Sequence, residues 1–411
     1  MVWVYLTAMA FMSVSGGPFG LEEVLQKIPF YQTIGLVVFA AFAHMVPTMM
    51  MTYEMVMVYD KKEASGGTIG WVEQTMGKHL GLLNAVYNII DTAVDNAVYP
   101  VIIKDNLGVE GPTVPIVVTL ACAAMNWKGT ETTGKITLVQ TAVILLPFVV
   151  LMMTTPADEN MFVNAKTYDK VNLGGYQEAL MIVIWNFSGF DMCASYIHTL
   201  KATNKDIKTS FAVTAFMTVF FYIGSLCCGT YYLHDSVDWF DGSWATIGFM
   251  KFGDWGMTLV QIASIVSSLA TLSVELCATS YLWMGLVNLK AVPKLFKNYK
   301  LNLAINTLIT MALSTTQPFD VLVETSALLN VSTIVFESIA WIKTFGTGMW
   351  HGRLIVAVVL VATNICVSMC LSASCIAALV SATSLGVLWT VVAEAVNAYT
   401  QKKYTHTPGL C

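Results

Sequence analysis

Long apolar runs recur along nearly the whole chain, and no other feature limits its fold as strongly. A bilayer core about 30 Å thick is crossed by a helix of about 20 mostly apolar residues. Only 11% of the 411 residues are charged, whereas a soluble domain has about 25%, so the chain lacks the charge to solvate an ordinary surface. No polar stretch is long enough to form a separate soluble domain. The sequence therefore predicts an all-α integral membrane protein.

Polar loops separate the apolar runs, and many of these loops contain Gly, Pro or Asn, which commonly interrupt helices. The pattern predicts twelve membrane-spanning helices in a single domain, residues 1–411. The predicted spans are 2–25, 33–58, 79–103, 113–127, 134–154, 177–200, 209–232, 256–288, 301–316, 321–345, 353–371 and 373–399. The first run follows no basic segment and precedes no cleavage site, so we expect this span to be retained as an anchor.

The distribution of Lys and Arg predicts the orientation of the chain. If both termini are cytoplasmic, sixteen of the 21 basic residues fall in cytoplasmic loops or the C-terminal tail. Five fall on the other side, namely Lys27, Lys104, Lys166, Lys170 and Lys251. Because cytoplasmic loops are enriched in Lys and Arg, we predict that both termini are cytoplasmic.

Several classes of protein lack support in the sequence. Eight of the nine cysteines lie in apolar runs, where cysteine is usually a small packing residue, so no disulfide framework is expected. The six histidines are scattered and form no HExxH motif, so we predict no metal site, no cofactor and no enzymatic activity. Repeated pore segments and rings of one charge, which are typical of channels, are absent, and nothing indicates a nucleic-acid partner.

Two of the predicted spans contain segments that interrupt a helix. The first span contains SGGPFG at residues 15–20, with three glycines and a proline, and the sixth contains WNFSGFD at residues 185–191. Interrupted helices at corresponding places in two halves of a chain point to the binding site of an inverted-repeat transporter, because half-helix ends expose N–H and C=O groups. The alternative is that the small residues only allow close helix packing.

Acidic residues within the predicted spans have no basic counterparts at mid-membrane, since Lys135, Lys343 and Arg353 lie within two residues of span ends. The eight acids in spans or at their edges are Glu54, Asp91, Asp95, Asp191, Glu275, Glu324, Glu337 and Glu394. Acids inside a membrane are costly and usually functional, so we take Asp95, Asp191 and Glu275 as candidates for cation or proton coupling. Each could instead be a protonated acid hydrogen-bonded to a neighbouring helix.

The remaining polar residues of the spans have simpler interpretations. Glu54, Glu337 and Glu394 lie near predicted span ends, where we expect them to reach water. His44 and His198 are interpreted as ordinary packing or interface residues.

Five segments of the chain resemble the amino acid–polyamine–organocation transporter superfamily, closest to its polyamine-uptake and L-type amino acid branch. The similar segments are VSGGPFGLEE, EASGGTIGWVEQTMGKHLG, IIDTAVDNAVYPV, IWNFSGFDMCASY and LATLSVELCATSYLWMGL. They occur in the family's order within residues 1–345 and correspond to its first span, the loop after the second, and its third, sixth and eighth spans.

The resemblance implies a leucine-transporter-like fold with broken first and sixth helices. Residues 1–345 would form a ten-helix core of two inverted five-helix repeats, and residues 346–411 two further helices and a short cytoplasmic tail. The motif match places substrate contacts on Ser15, Gly16, Gly17, Trp185, Asn186, Ser188, Gly189 and Phe190, with Phe190 as an aromatic lid.

The chain departs from the family pattern at two informative positions. The branch usually has an acid near the end of span six, where this chain has Thr199, which weakens the case for polyamines over amino acids. Span five lacks the mid-membrane lysine that serves some bacterial relatives as a proton site. Coupling, if present, must therefore use acids.

The resemblance implies a secondary transporter for amino acids or polyamines, working by alternating access as a proton-coupled symporter or an exchanger. We expect an integral protein of the plasma membrane, with a small amine-containing substrate and the proton as partners. The protein partner, if any, is unknown. The alternative is an amino acid sensor on a carrier fold without net transport.

Overall fold

The computed structural model describes residues 2–59, 66–156, 173–233, 239–240 and 242–345. The predicted spans 353–371 and 373–399, together with Glu394 and the loops around Asp158 and Asp238, lie outside the described residues.

The described residues form helices and no strand. The α-helices are α1 (Val2–Val14), α2 (Val24–Lys27), α3 (Phe30–Ala40), α4 (Val46–Tyr59), α5 (Thr68–Met76), α6 (Lys78–Asn106), α7 (Thr113–Asn126), α8 (Thr130–Thr154), α9 (Leu173–Trp185), α10 (Asn204–Tyr232), α11 (Ser243–Phe252), α12 (Asp254–Asn288), α13 (Tyr299–Thr316) and α14 (Phe319–Phe345). A π-helical turn, Ala41–Met45, joins α3 to α4, and 3₁₀ segments occupy Asp191–Ser195, Ile197–Leu200 and Lys294–Lys297.

The membrane class that the apolar runs predicted is confirmed for the described part of the chain. Five helices are long and apolar enough to cross a bilayer, namely Phe30–Tyr59, Thr130–Thr154, Asn204–Tyr232, Asp254–Asn288 and Val321–Phe345. The shorter helices Val2–Val14 and Thr113–Asn126 are also apolar. The count of twelve spans and the inverted repeat remain predictions.

The helices bury many polar side chains beside an apolar core, and they expose large apolar side chains that a water-soluble bundle would bury. Phe42 and Phe216, for example, are 73% and 68% exposed, as expected of side chains that face lipid tails. The long helix α12 packs against α6, α8, α11 and α13, and α6 packs in turn against α14. One face of α6 carries Asn84, Asn88 and Asp91, all buried, so polar groups line the α6–α14 interface.

Both predicted helix interruptions occur where the glycines lie. The helix α1 ends at Val14, and the following residues include Gly16, Gly17 and Gly20 with φ of 63°, 109° and 87°. These positive φ values are readily adopted only by glycine. The helix α9 ends at Trp185 and gives way to an irregular turn and 3₁₀ segments. We call residues 15–20 the first break and residues 186–190 the second break.

The helix that follows the second break starts at a side-chain cap. The backbone N–H of Thr203 donates to Asp206 Oδ2 at 3.0 Å, and Thr203 Oγ1 accepts from the Asp206 N–H at 3.2 Å. This reciprocal pair satisfies two backbone donors that have no helical partner. It fixes the start of α10 directly after the 3₁₀ segments, so the second break is anchored at its far end.

Candidate functional site

The second break touches the last residues of α1, directly before the first break, through its backbone. Gly189, with φ of 120°, lies so close to the end of α1 that an added Cβ would stand 2.0 Å from the backbone oxygen of Ser13. A side chain at this position would force the segments apart, so the contact depends on glycine. The interrupted parts of α1 and α9 are thereby brought together in the middle of the bundle.

Side chains of neighbouring helices hold the first break in place. Ser267 Oγ on α12 donates to the backbone oxygen of Gly16 at 2.5 Å. Within the break, the Gly17 N–H donates to Ser15 Oγ at 3.2 Å. These bonds satisfy backbone groups that no longer have helical partners, as burial in a membrane protein requires.

The second break is held in the same way. The Tyr222 hydroxyl on α10 donates to the backbone oxygen of Asn186 at 2.7 Å, and the Asn186 amide donates to the Ile182 oxygen at 2.9 Å. His44, in the π-helical turn, lies with Nε2 3.0 Å from Ser188 Oγ. His44 was interpreted from sequence as a packing residue, and the structure places it in hydrogen-bonding contact with the second break.

A cavity of about 890 Å³, which we call the central cavity, lies beside the two breaks. Its lining includes residues of both breaks and faces of α6, α9, α12 and α14. It continues past Glu22 and Glu23 to Lys27, which is predicted to lie on the side opposite the cytoplasm. The central cavity therefore extends from the breaks toward the end of the bundle that carries loops predicted to be outside, which we call the outer end.

Beside the breaks, the lining of the central cavity includes the carboxyl groups of Asp91 and Asp95 on α6, Glu275 on α12 and Glu324 on α14, and Glu22, Glu23 and Glu178 line it as well. Asp91 and Asp95 lie one helical turn apart and share the Ser326 hydroxyl of α14, whose Oγ is 2.7 Å from Asp91 Oδ1 and 3.4 Å from Asp95 Oδ1. Helices α6 and α14 are thus joined through the acids.

Asp91 and Asp95 also receive other hydrogen bonds. The Tyr99 hydroxyl donates to Asp95 Oδ2 at 3.0 Å, and the Asn330 amide lies 3.5 Å from Asp91 Oδ2. In the part of the chain that the structure describes, no Lys or Arg forms an ion pair with Asp91, Asp95 or Glu275. Lys27 and Glu178, which also line the cavity, pair with each other at 2.6 Å. The wall around Asp91, Asp95 and Glu275 can therefore accept a cationic group.

Eight of the eleven site residues that the sequence singled out line the central cavity. They are Ser15, Gly16, Trp185, Asn186, Ser188, Gly189, Asp95 and Glu275. The other three lie behind the lining: a Cβ on Gly17 would meet Ile144 at 3.0 Å, Phe190 packs edge-on against Phe211 with ring centroids 5.0 Å apart, and Asp191 is buried.

Sequence reasoning missed the contribution of α14 to the hydrogen bonds of the acids. Ser326 and Asn330 are four residues apart and therefore lie on one face of the helix, where both contact Asp91. Two polar residues four positions apart within an apolar run were the available indication in the sequence that this face of α14 is buried against other polar groups. Among the described residues, no group of three or more His, Cys, Asp or Glu side chains could hold a metal ion.

The opposite end of the bundle, which carries the loops predicted to be cytoplasmic, is closed; we call it the inner end. A Cβ on Gly66 would lie 2.2 Å from the Gly285 Cα on α12, and one on Gly67 would lie 3.1 Å from the Ser195 nitrogen. Thr130 Oγ1 bonds to the Tyr281 hydroxyl at 2.9 Å and to Thr199 Oγ1 at 2.8 Å. We call these contacts the inner seal.

Comparisons with known proteins return transporters. No protein-family model matches the chain. The chain is 26% identical over 305 residues to the polyamine transporter RMV1 of Arabidopsis thaliana, a match covering 71% of this chain and 61% of the relative. It is 25% identical over 303 residues to the polyamine transporter PUT1 of Oryza sativa subsp. japonica, covering 71% and 56% of the two chains.

A probable polyamine transporter of Arabidopsis thaliana is 24% identical over 308 residues, 71% of this chain and 62% of its own length. The matches thus span about three fifths of the length of these curated relatives. None of the three relatives is named as an enzyme. These relatives confirm the resemblance to the amino acid–polyamine–organocation transporter superfamily that the motifs indicated.

Proposed function

We propose that this protein is a secondary transporter that carries an organic amine across a membrane by alternating access. A linear polyamine is the first candidate substrate, and an amino acid is the second. The observation that carries the proposal is the central cavity, into which carboxyl groups from three helices face without a basic partner for Asp91, Asp95 or Glu275 in the described chain. The names of the relatives support an amine as substrate.

The number of acids favours a substrate with more than one ammonium group. A neutral amino acid brings one ammonium and one carboxylate, and the carboxylate would be repelled by the lining acids. A polyamine brings several ammonium groups along a flexible apolar chain, which matches a cavity lined both by acids on α6, α12 and α14 and by apolar residues such as Ile182 and Val331. Complementary charge of this kind determines which substrate a site accepts.

The breaks provide neutral contacts for the same substrate. Carbonyl oxygens at the end of a helix attract cations, and α1 ends at Val14 beside the central cavity. In our proposal Ser15, Gly16, Trp185, Asn186, Ser188 and Gly189 bind and orient the substrate. Phe190, Gly17 and Asp191 support the breaks from behind the lining.

Coupling to protons follows from competition for the lining acids. A carboxyl group that holds a proton cannot at the same time pair as a carboxylate with an ammonium group. Asp95 and Glu275 line the cavity and are placed to hold either, and Asp191 interacts electrostatically with Glu275. We propose that these acids exchange protons for substrate during the transport cycle.

Alternating access fits the shape of the described bundle. The central cavity reaches the outer end while the inner seal is closed, so this arrangement corresponds to an outward-facing state if the predicted orientation holds. In our proposal the protein lies in the plasma membrane with both termini cytoplasmic. Opening of the inner seal and closing of the outer end would then deliver the substrate inside.

A competition uptake screen tests the substrate class. Cells expressing the protein take up labelled spermidine, and an excess of unlabelled polyamine, cationic amino acid or neutral amino acid is added in separate assays. We expect polyamines to compete most strongly, with vector-only cells as the control. Uptake of spermidine at the vector level, together with competable uptake of a labelled neutral amino acid, would overturn the polyamine assignment.

A further inference from the structure

Glu337 on α14 is buried in a way that its sequence position did not suggest. We expected this residue to reach water near the end of a span, and that expectation is wrong, because the side chain is 0% exposed. Neither carboxyl oxygen has a hydrogen-bond partner. Glu337 is also absent from the lining of the central cavity, so it is not part of the site described above.

Of the three hydrogen atoms that the polar neighbours of Glu337 can donate, two are donated to other groups. Thr68 at the start of α5 and Asn88 on α6 flank the carboxyl group. Thr68 Oγ1 donates to Asn88 Oδ1 at 3.3 Å, and the Asn88 amide donates to the Asn84 oxygen at 3.1 Å. An ionised carboxylate here would exchange its hydration for at most the remaining amide hydrogen of Asn88, which is unfavourable in a buried site. The site therefore accommodates the neutral acid.

Glu337 lies directly behind the inner seal. Helix α5 begins at Thr68, immediately after Gly66 and Gly67. The backbone of Gly66 touches α12, and the backbone of Gly67 touches the first 3₁₀ segment, which follows the second break. The same helix α5 packs on α14. Any movement that separates Gly66 and Gly67 from their partners moves the start of α5, and with it the cover over Glu337.

The elements packed around Glu337 supply no positive charge to it. No Lys or Arg of the described ranges forms an ion pair with Glu337. Asp91 and Asp191 are close enough to repel its ionised form, whereas Glu54 accepts a hydrogen bond from Trp341 at 2.8 Å. The other titratable groups on the surrounding elements include Glu54 on α4, His44 on the adjoining π-helical turn, Glu73 on α5, Lys78, His79 and Asp95 on α6, and Glu324 and Lys343 on α14 itself.

We propose that Glu337 is a proton-binding site linked to the inner seal, occupied while the seal is closed and released when it opens. On opening, the O–H bond of the acid breaks, the proton passes to water at the inner end, and the carboxylate becomes hydrated. On closing, the carboxylate takes up one proton and is covered again by α5. The inference rests on the proposed transport function, in which the inner seal opens once in every cycle.

Proton linkage predicts how the closed state depends on pH. The closed state holds one proton more than the open state, so a lower pH stabilises it and a higher pH favours opening. For one fully linked proton, the ratio of open to closed protein rises about tenfold for each pH unit. If a partner stabilised the ionised acid in the closed state, the dependence on pH would be reversed, and a lower pH would favour opening.

The native Cys277 lies beside the inner seal, so its reactivity reports on the seal without an engineered cysteine. Its Sγ is buried on α12 and lies 3.8 Å from Thr130 Oγ1, a member of the seal. Purified protein is treated with N-ethylmaleimide over a pH series, and alkylation of each cysteine is quantified by mass spectrometry. Alkylation of the part-exposed Cys227, and of the denatured protein, corrects for the intrinsic pH dependence of thiol reactivity.

The wild-type protein is expected to show a corrected Cys277 alkylation rate that rises with pH, by up to about tenfold per unit. Glu337→Gln mimics the protonated acid and should hold the rate low and independent of pH. Glu54→Gln removes a nearby acid on α4 and should keep the wild-type dependence. A wild-type alkylation rate that does not change with pH overturns the inference, even if the Glu337→Gln variant does not fold. A pH dependence that persists in Glu337→Gln also overturns it, and so does one that Glu54→Gln abolishes.

The alkylation assay needs no transported substrate, so its outcome is independent of the transport assays. A protein that transports no amine but shows the Glu337-dependent profile would contradict the proposed function and leave the proton site in place. A protein that transports an amine with a pH-independent inner seal would contradict the proton site alone.

Discussion

At the scale of single residues, the central cavity is defined by the partners of its carboxyl groups. Asp91 and Asp95 share a serine hydroxyl, and Asp95 also accepts a hydrogen bond from Tyr99. Glu275 is 5% exposed and faces the same space from α12. Neutral hydrogen bonds hold carboxyl groups in position without cancelling their charge, so a cationic substrate supplies the charge that the protein does not.

Glu275→Gln should lower transport of a diamine or polyamine at least about a hundredfold, since removing one partner of a buried ion pair costs about 3–5 kcal/mol. The measurement is initial uptake in proteoliposomes, normalised to reconstituted protein. Glu131→Gln is the matched control, because Glu131 is an exposed acid paired with Lys135 at 2.7 Å, and it should transport normally.

A different outcome at Glu275 would reassign its role. If the Gln variant exchanges a bound neutral amino acid normally but loses accumulation driven by a pH gradient, Glu275 binds the proton and not the substrate. If both activities are normal, Glu275 is a packed interface residue, and the acids of the cavity lose their proposed function.

Gly189→Ala should abolish transport, because its Cβ would stand 2.0 Å from the Ser13 oxygen and its φ of 120° is unfavourable for alanine. We expect a loss of stability of about 2 kcal/mol or more, from backbone strain and from separation of the second break from α1. Gly35→Ala is the control, since nothing lies within 4 Å of its Cβ. Uptake and thermal unfolding in detergent, compared for the two variants, check the prediction; equal behaviour would contradict it.

The sequence predicts the role of a residue well where that residue restricts or frees the backbone, and poorly where its role depends on packing. The glycines of residues 15–20 and Gly189 indicated the breaks because their φ requirements end a helix. The burial of Glu337 was not predictable, because its distance from a span end says nothing about which helices cover it. Gly17 and Phe190 were placed in the site by resemblance, but whether they face the cavity depends on packing: a Cβ on Gly17 would point at Ile144, and the Phe190 ring packs on Phe211.

At the scale of elements, α5 connects the inner seal to the polar interface between α6 and α14. It starts at the residues that touch α12 and packs on both α6 and α14. Short helices that contact several long ones are suited to move as units when a seal opens. The sequence indicated the glycine pair before α5 but not its partner Gly285, because contacts between distant segments have no local pattern.

Gly66→Ala should weaken the inner seal, because its Cβ would fall 2.2 Å from the Gly285 Cα. We expect faster N-ethylmaleimide alkylation of Cys277 at every pH. Gly77→Ala is a close control: its φ of 92° resembles that of Gly66 at 78°, but nothing lies within 4 Å of its Cβ. If the two variants alkylate at the same rate, backbone strain and not the contact with α12 explains the effect.

At the scale of the whole molecule, the apolar runs predicted most helix positions within a few residues. The predicted spans 79–103 and 113–127 correspond to α6, Lys78–Asn106, and α7, Thr113–Asn126. Hydropathy succeeds here because a bilayer forces backbone hydrogen bonds to be satisfied within each span. The opening of the cavity toward one end was not predictable, because in the transport cycle that we propose the same helices adopt more than one arrangement.

The predicted orientation places the loops around Asp158 and Asp238 outside and residues 201–208 inside. Epitope tags inserted at the first two positions should be accessible to antibodies in intact cells, because the positive-inside rule assigns basic loops to the cytoplasm. A tag within residues 201–208 should become accessible only after permeabilisation. Labelling of the third tag in intact cells would reverse the orientation and, with it, the side on which the cavity opens.

Counterflow in proteoliposomes tests most directly the claim that the central cavity carries an amine from one side to the other. Vesicles containing the purified protein are loaded with unlabelled spermidine and diluted into a trace of labelled spermidine. We predict that label accumulates transiently inside wild-type vesicles. The label inside Glu275→Gln vesicles should stay at the amount found in protein-free vesicles. Binding of labelled spermidine without any counterflow would contradict transport and identify the protein as a sensor.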